Sequence, residues 1–435
     1  MINRTLGPAS IARPEAGESA GTESLPSRSN AEAYIADRCF ARRTPRLIGA
    51  ELEWLTADLG RRAAGGRAPA RPDPVALAAA LGPYAPRSIA PDSPEWPLPG
   101  GSRVTVEPGG QIELSSAPYP DSSTLVEHLS RDTRFLDQLL EPHAIRRLPG
   151  ATDPDRRPRR VLCAPRYRTM ERVFDGIGPF GRLMMCNTAA TQISVDAGAD
   201  RHEVATRWNA LYAMGPALVA AFACSPALST APAGSWASQR MRAWLRLDPA
   251  RTHPPVRDWP DPITGYARWA LDVPLLCVRR PGAEADWTAP PGASFADWLR
   301  GDLDDELGSR PGTADLDYHL TTLFPPVRPA GHLEIRYLDA QPGEEWRVPM
   351  LAVEALMSSP RVTAAATARA GSTAERWTAA ARHGLNDPEL RAAAVDLLAL
   401  AEAHARTPAA AAELSGAARR CRAARPPALG IAASA

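Results

Sequence analysis

Four short segments, far apart in the chain, interleave apolar residues with carboxylates and other polar groups suited to metals or phosphate. They are Gly49-Ala50-Glu51-Leu52-Glu53-Trp54, Val104-Thr105-Val106-Glu107-Pro108-Gly109-Gly110-Gln111-Ile112-Glu113-Leu114, Thr191-Gln192-Ile193-Ser194-Val195-Asp196 and His332-Leu333-Glu334-Ile335-Arg336-Tyr337. In a β-strand, successive side chains point to opposite faces. Leu52, Val104, Val106, Ile112, Leu114, Ile193, Val195, Leu333 and Ile335 therefore belong to one packed face. Glu51, Glu53, Glu107, Gln111, Glu113, Gln192, Glu334 and Arg336 share the other. A face this rich in carboxylate needs cations to neutralise it. Glu51 and Glu53, two apart on one strand, project their carboxylates from the same face about 6–7 Å apart. Glu107 and Glu113 flank a tight turn and can converge with them, and Glu334 adds a fifth acid. An oxygen-only set of this kind suits Mg²⁺ or Mn²⁺, and the lack of a His/Cys cluster argues against zinc.

The basic residues narrow the chemistry further. All 50 Lys+Arg residues are arginine. A phosphate-binding P-loop lysine, a kinase-type lysine and a Schiff-base lysine are therefore excluded, whatever the origin of the bias. Phosphate must be met by arginine, backbone amides and metal ions. Arg336 falls on the face that carries Glu334, where it suits a phosphate, a substrate carboxylate or a charge-balancing ion pair. Arg240 and Arg251, in a loop-rich stretch, are candidates for bidentate contacts to substrate carboxylates. Tyr266, Trp269 and Tyr337 are candidate wall residues, whereas Trp54, Trp208 and Trp244 read as core. His319 and His332 read as structural. No nucleophile elbow, local Cys–His signature or His-x-x-x-His pair is present.

The elements that must position these residues can also be read from the chain. Residues 1–30 are poor in apolar side chains and read as a disordered leader, with 426–435 as a flexible tail. Residues 31–425 are expected to form a single catalytic domain. Helices are expected over Ala31–Arg42, Pro74–Leu81, Asp121–Leu140 (capped by Ser122 or Ser123) and Arg201–Phe222, and through an Ala-rich part over about 349–422. Residues 104–115 read as a hairpin turning at Pro108-Gly109-Gly110, whereas 146–160 and 225–262 read as long loops. No βαβ unit with a Gly-rich first turn appears, so the expected class is α+β with an antiparallel sheet. Six scattered cysteines read as reduced thiols, and a net charge of +1 gives no bulk attraction to nucleic acid or an anionic membrane. With no secretory signal and no membrane span, a cytoplasmic protein is expected.

Taken together, the four acidic segments, Tyr318-His319-Leu320-Thr321-Thr322-Leu323-Phe324-Pro325, Pro165-Arg166-Tyr167, Gly181-Arg182-Leu183-Met184-Met185, Ala270-Leu271-Asp272-Val273-Pro274 and Asp339-Ala340-Gln341-Pro342 resemble the glutamate–cysteine ligase family. The likeness is greatest to its actinobacterial ergothioneine-pathway branch and more distant to the plant ligases, and it runs in order from about residue 31 to 360. The resemblance implies a glutamine synthetase-like fold, an antiparallel β-sheet funnel flanked by helices with ATP and metals on its polar inner face. It implies metal binding by Glu51, Glu53, Glu107, Glu113 and Glu334. It also implies contacts to ATP or glutamate by Arg166, Gln192, Arg240, Arg251, Tyr266 and Arg336, with Glu53, Glu107 and Arg336 nearest the chemistry. The chain departs from the plant pattern at Asn187, where an arginine is usual, so other arginines must hold glutamate.

The implied reaction joins the γ-carboxylate of L-glutamate to the amine of L-cysteine through γ-glutamyl phosphate, with ATP and Mg²⁺ (or Mn²⁺), in a monomer or homodimer. Two alternatives stand beside it: a carboxylate–amine ligase with another amine acceptor, and a non-catalytic glutamate- or nucleotide-binding protein that keeps the fold.

Overall fold

The computed structural model describes residues 23–41, 46–63, 68–256, 259–282 and 284–428. Among them are nine strands: β1 (Ile48–Trp54), β2 (Thr56–Arg62), β3 (Pro69–Ala70), β4 (Arg103–Val106), β5 (Ile112–Ser115), β6 (Ile145–Arg147), β7 (Ala190–Val195), β8 (Val327–Pro329) and β9 (Leu333–Asp339). Six form one sheet in the order β4-β5-β1-β7-β9-β8, and β3-β2-β6 form a second. Every pairing within the two sheets is antiparallel. The α+β class and its antiparallel sheet match expectation. The four acidic segments supply five of the six strands of the larger sheet.

Alternation works as the sequence predicts. Leu52, Val104, Val106, Ile112, Leu114, Ile193, Val195, Leu333 and Ile335 are all buried in one continuous core. At roughly 25 cal/mol per Å² of apolar surface removed from water, this face anchors the sheet and leaves the other free for polar side chains. Gln111 departs from the expected pattern. Its Nε2 donates to the carbonyls of Met185 (3.2 Å) and Thr188 (2.9 Å), so it ties the hairpin to the end of the helix Phe180–Asn187.

The helices Pro74–Leu81 and Arg201–Phe222 have the expected bounds. The third runs Ser122–Leu140 and is capped by Asp121, whose side chain accepts from the Thr124 amide; the predicted serine cap is displaced by one residue. The first helix spans Arg28–Cys39, capped by Ser27, and Leu25 is buried. The expected leader is therefore ordered from at least residue 23, and residues 1–22 and 429–435 lie outside the described residues. The stretch 225–262 is also not a long loop: it holds the helix Gln239–Leu247, capped by Ser238. Met241, Trp244 and Leu245 do fall at helical spacing, but the run is short and lies between stretches rich in Pro and Gly. The Ala-rich part is helical, in five segments from Arg347 to Arg422. All six cysteines are free and only Cys163 is exposed. No helix among the described residues is long and apolar enough to cross a membrane.

The hairpin that carries Glu107 and Glu113 is fixed by its glycines. The Gly110 amide donates to the Glu107 carbonyl at 2.8 Å, and Gly110 adopts φ +84°, a conformation costly for residues with a side chain. Gly109 lies against the backbone of Cys186, where an added Cβ would come within 2.4 Å of the carbonyl oxygen. Gly109→Ala is therefore expected to push the hairpin off its support, at a cost of about 1–3 kcal/mol. A lowered thermal midpoint with reduced divalent-cation binding is the expected result; an unchanged midpoint would refute this packing account.

Candidate active site on the carboxylate face of the sheet

Register brings the predicted acids together. Glu53 on β1 stands directly opposite Glu113 on β5, and Glu51 stands opposite Gln192 on β7. Glu334 on β9 pairs with Ser194 on one side and with Arg328 of β8 on the other. Side chains directly opposite in adjacent antiparallel strands lie about 5 Å apart at Cβ, so this arrangement concentrates like charge.

The protein holds these acids in different ways. Glu53 accepts from Gln192 Nε2 (2.7 Å) and from the Ala190 backbone N–H (2.9 Å), which fixes both of its oxygens. Glu113 accepts from the Thr105 hydroxyl at 2.6 Å. Burial pushes the Glu53 carboxyl up to about 8, and the neighbouring Glu113 and Glu107 add to the effect. Burial, with Glu113 and Glu334 nearby, likewise raises Glu51 well above the usual carboxylate range. Glu334 behaves oppositely. Burial works against its ionisation, yet Arg328 and Arg336 outweigh that and hold the carboxyl well below the usual range. Arg328 grips it with Nε (2.5 Å) and Nη2 (3.0 Å), and Arg336 Nη1 lies 2.9 Å away.

Beside the acids is an arginine pair. The guanidinium carbons of Arg240 and Arg336 lie 5.4 and 5.3 Å from the ring centre of Trp244. Arg240 Nη2 donates to the Arg336 carbonyl at 2.8 Å. The β7–β9 register slips at this point, placing a bulge in β9 at Arg336 and Tyr337 opposite Gln192. Bulges re-aim side chains at sites of this kind. Arg336 Nε and Gln192 Oε1 are buried without a hydrogen-bond partner, so the site retains polar capacity for a ligand or water.

Three predicted contact residues lie elsewhere. Arg251 is committed to Asp248 (2.6 Å) and to the carbonyls of Thr322 (3.1 Å) and Pro274 (2.9 Å), so it clamps three segments of chain rather than facing the acids. Tyr266 is fully buried against Phe40, Trp208 and Trp269 in the core, with Arg328 and Glu334 near enough to act on its hydroxyl. Arg166 donates twice to Thr321 and lies over Tyr318, apart from the carboxylates. Asn187 accepts from Arg71 Nη2 at 2.6 Å, in a buried network with Asp153 and Arg156.

Sequence reasoning missed Arg328, Trp244 and Asp339. Arg328 lies on a three-residue strand between prolines, too short for alternation to show. Trp244 reads as core from its sequence context, and it does pack there on its other side. Asp339 ends β9, and only the fold brings its partners to it.

The donor set fits a hard divalent cation. Its acids offer only oxygen, and burial with neighbouring carboxylates opposes ionisation of Glu51 and Glu53, a penalty that a bound cation would relieve. As arranged here, no group of three or more His, Cys, Asp or Glu among the described residues already stands at metal-binding spacing. Both Glu334 oxygens are engaged by arginine, so its entry into a metal site requires Arg328 and Arg336 to turn elsewhere. The Glu53 carboxyl is raised on folding from 4.5 to about 8, so its stabilising contribution is present at acid pH and lost as pH rises through that interval. Thermal melts in EDTA and in Mg²⁺ are therefore expected to diverge more at pH 8 than at pH 5. A Mg²⁺-induced shift that is no larger at pH 8 would contradict the cation assignment.

Known proteins resemble the chain in sequence and in fold. Over 311 residues the chain is 41% identical to "Glutamate--cysteine ligase EgtA" of Mycolicibacterium smegmatis, covering 70% of this chain and 71% of the relative. It is 31% identical over 252 residues to the chloroplastic glutamate–cysteine ligase of Arabidopsis thaliana, covering 57% of this chain and 47% of that one. The crystal structure of the Francisella tularensis glutamate–cysteine ligase in complex with AMP superposes with a TM-score of 0.55 at 14% identity, covering 90% of this chain and 85% of that one, and so shares its fold. Glutamate-cysteine ligase family 2 (GCS2) matches residues 47–432, and the chain belongs to that family.

Proposed function

We propose that the protein is an ATP-dependent glutamate–cysteine ligase, EC 6.3.2.2, acting in the ergothioneine branch of the family. The observation that carries this reading is the juxtaposition, on one sheet face, of the Glu51–Glu53–Glu113 carboxylates with the Arg240–Arg336 pair. Family membership supplies the reaction, and this juxtaposition supplies the groups it needs.

A carboxylate is a poor acyl donor until it carries a leaving group. An oxygen of the glutamate γ-carboxylate attacks the γ-phosphorus of ATP, the bond to the β,γ-bridging oxygen breaks, and ADP leaves with γ-glutamyl phosphate behind. The cysteine amine then attacks the acyl carbon and phosphate departs, while a nearby carboxylate, Glu53 or Glu107, takes the amine proton. Arg336 meets a carboxylate of glutamate or a phosphate oxygen, and Arg240 adds charge from behind. Gln192 keeps Glu53 in place. Mg²⁺ or Mn²⁺ held by Glu51, Glu53, Glu107, Glu113 and Glu334 would neutralise the phosphate oxygens. Arg166 lies outside this centre, and its place in ATP binding would be at the periphery.

ADP release measured with ATP, Mg²⁺ and L-glutamate tests the reading. Cysteine is expected to stimulate release strongly, with γ-glutamylcysteine seen by mass. Stronger stimulation by another amine would reassign the acceptor, and no stimulation by any amine would favour a binding protein. Glu51→Gln and Glu334→Gln are each expected to lower turnover by at least about 100-fold while circular dichroism is unchanged. Retained activity in both variants would remove the metal assignment.

A further inference from the structure

Asp339, which none of the chemistry above uses, lies at the end of the strand that carries Glu334 and Arg336, and it is 2% exposed. Its carboxylate accepts from the Ser225 hydroxyl (2.7 Å), the Ser238 hydroxyl (2.8 Å) and the Cys224 backbone N–H (3.0 Å). An ionised carboxylate can only accept, so each serine must aim its single proton at Asp339. That leaves the serine lone pairs facing elsewhere, and both meet the first turn of the helix Gln239–Leu247. Ser238 Oγ accepts from the Met241 amide at 2.9 Å, and Ser225 Oγ accepts from the Arg240 amide at 3.3 Å. The helix start is thus bound to the strand end through two oriented hydroxyls. Arg240 leaves that first turn and donates to the Arg336 carbonyl at the β9 bulge.

We infer that Asp339, with Ser225 and Ser238, is a positioning relay that fixes Arg240 and, through it, the aim of Arg336 toward the glutamate substrate. The chain of contacts closes a loop: β9 leads to Asp339, to the serines, to the helix start, to Arg240 and back to β9 at Arg336. Both ends of the loop lie on one strand three residues apart, so the relay sets the geometry of the bulge. Asp339 touches no reacting atom in this scheme. The inference rests on the reading of Arg336 as a glutamate contact.

The test uses steady-state kinetics of the full chain with each substrate varied in turn. Ser225→Ala and Ser238→Ala remove one neutral hydroxyl each and keep the buried carboxylate, so they probe the relay with less disturbance to folding than Asp339→Asn. Each is expected to raise KM for L-glutamate about tenfold while KM for ATP changes less than about twofold, the scale set by losing a hydrogen bond to a charged group. Ser238→Thr, which keeps a capping hydroxyl, is expected to restore the parent KM. Arg336→Lys checks the underlying reading, with a larger rise in KM for glutamate expected. If Arg336→Lys leaves that KM unchanged, the reading of Arg336 fails and the relay falls with it. If Arg336→Lys raises it but both serine variants leave it unchanged, or raise all KM values equally, the relay alone is overturned.

Discussion

The site depends on keeping like charges together. Glu53 and Glu113 face each other across two strands, and Glu51 and Glu334 lie on the same face. In isolation such a pairing would open, because carboxylates directly opposite one another repel. It persists because the other face of the same strands is buried in one continuous hydrophobic core. Alternation is thus a mechanical coupling: the hydrophobic effect on one side fixes the register that the other side's electrostatics resist. The hairpin glycines serve the same end, since Gly109 lets the turn lie flat against Cys186.

Charge compensation is divided unevenly. Arg328 and Arg336 pair with Glu334, whereas burial and neighbouring carboxylates make Glu51 and Glu53 hold their protons more tightly. The face is therefore graded, from the β8–β9 side, where Glu334 is ionised and paired, to β1, where two buried carboxyls resist ionisation. An arginine-only chain suits the paired edge. Guanidinium spreads its charge, stacks on Trp244 and donates in several directions at once, so one side chain can hold a carboxylate, a backbone carbonyl and an aromatic face.

The acids were legible in the sequence because a period of two is a local property. Glu51, Glu53, Glu113 and Glu334 could each be assigned to the polar face from their own neighbours alone. The arginines were less legible, because a guanidinium reaches far and its partner is set by the fold. Arg240 and Arg251 look alike in the chain, eleven residues apart. One reaches the β9 bulge, and the other is held by Asp248 and two carbonyls. Tyr266 shows the same limit for aromatic residues, which fill a core as readily as they line a site.

Spacing and residue type mark the five strands of the acidic segments, the face that carries their carboxylates and the family the chain resembles, because those are local properties, whereas β2, β3, β6 and β8 leave no such mark. Folding sets β1 between β5 and β7, closes Arg328 on Glu334 and brings the Ser225 and Ser238 hydroxyls to Asp339. Strand order, bulge position and the partners of long side chains depend on how separate segments pack, from six residues apart for Arg328 and Glu334 to 114 for Ser225 and Asp339. No local pattern encodes them; they are settled when the packed face closes and the polar groups it carries with it must each find a partner.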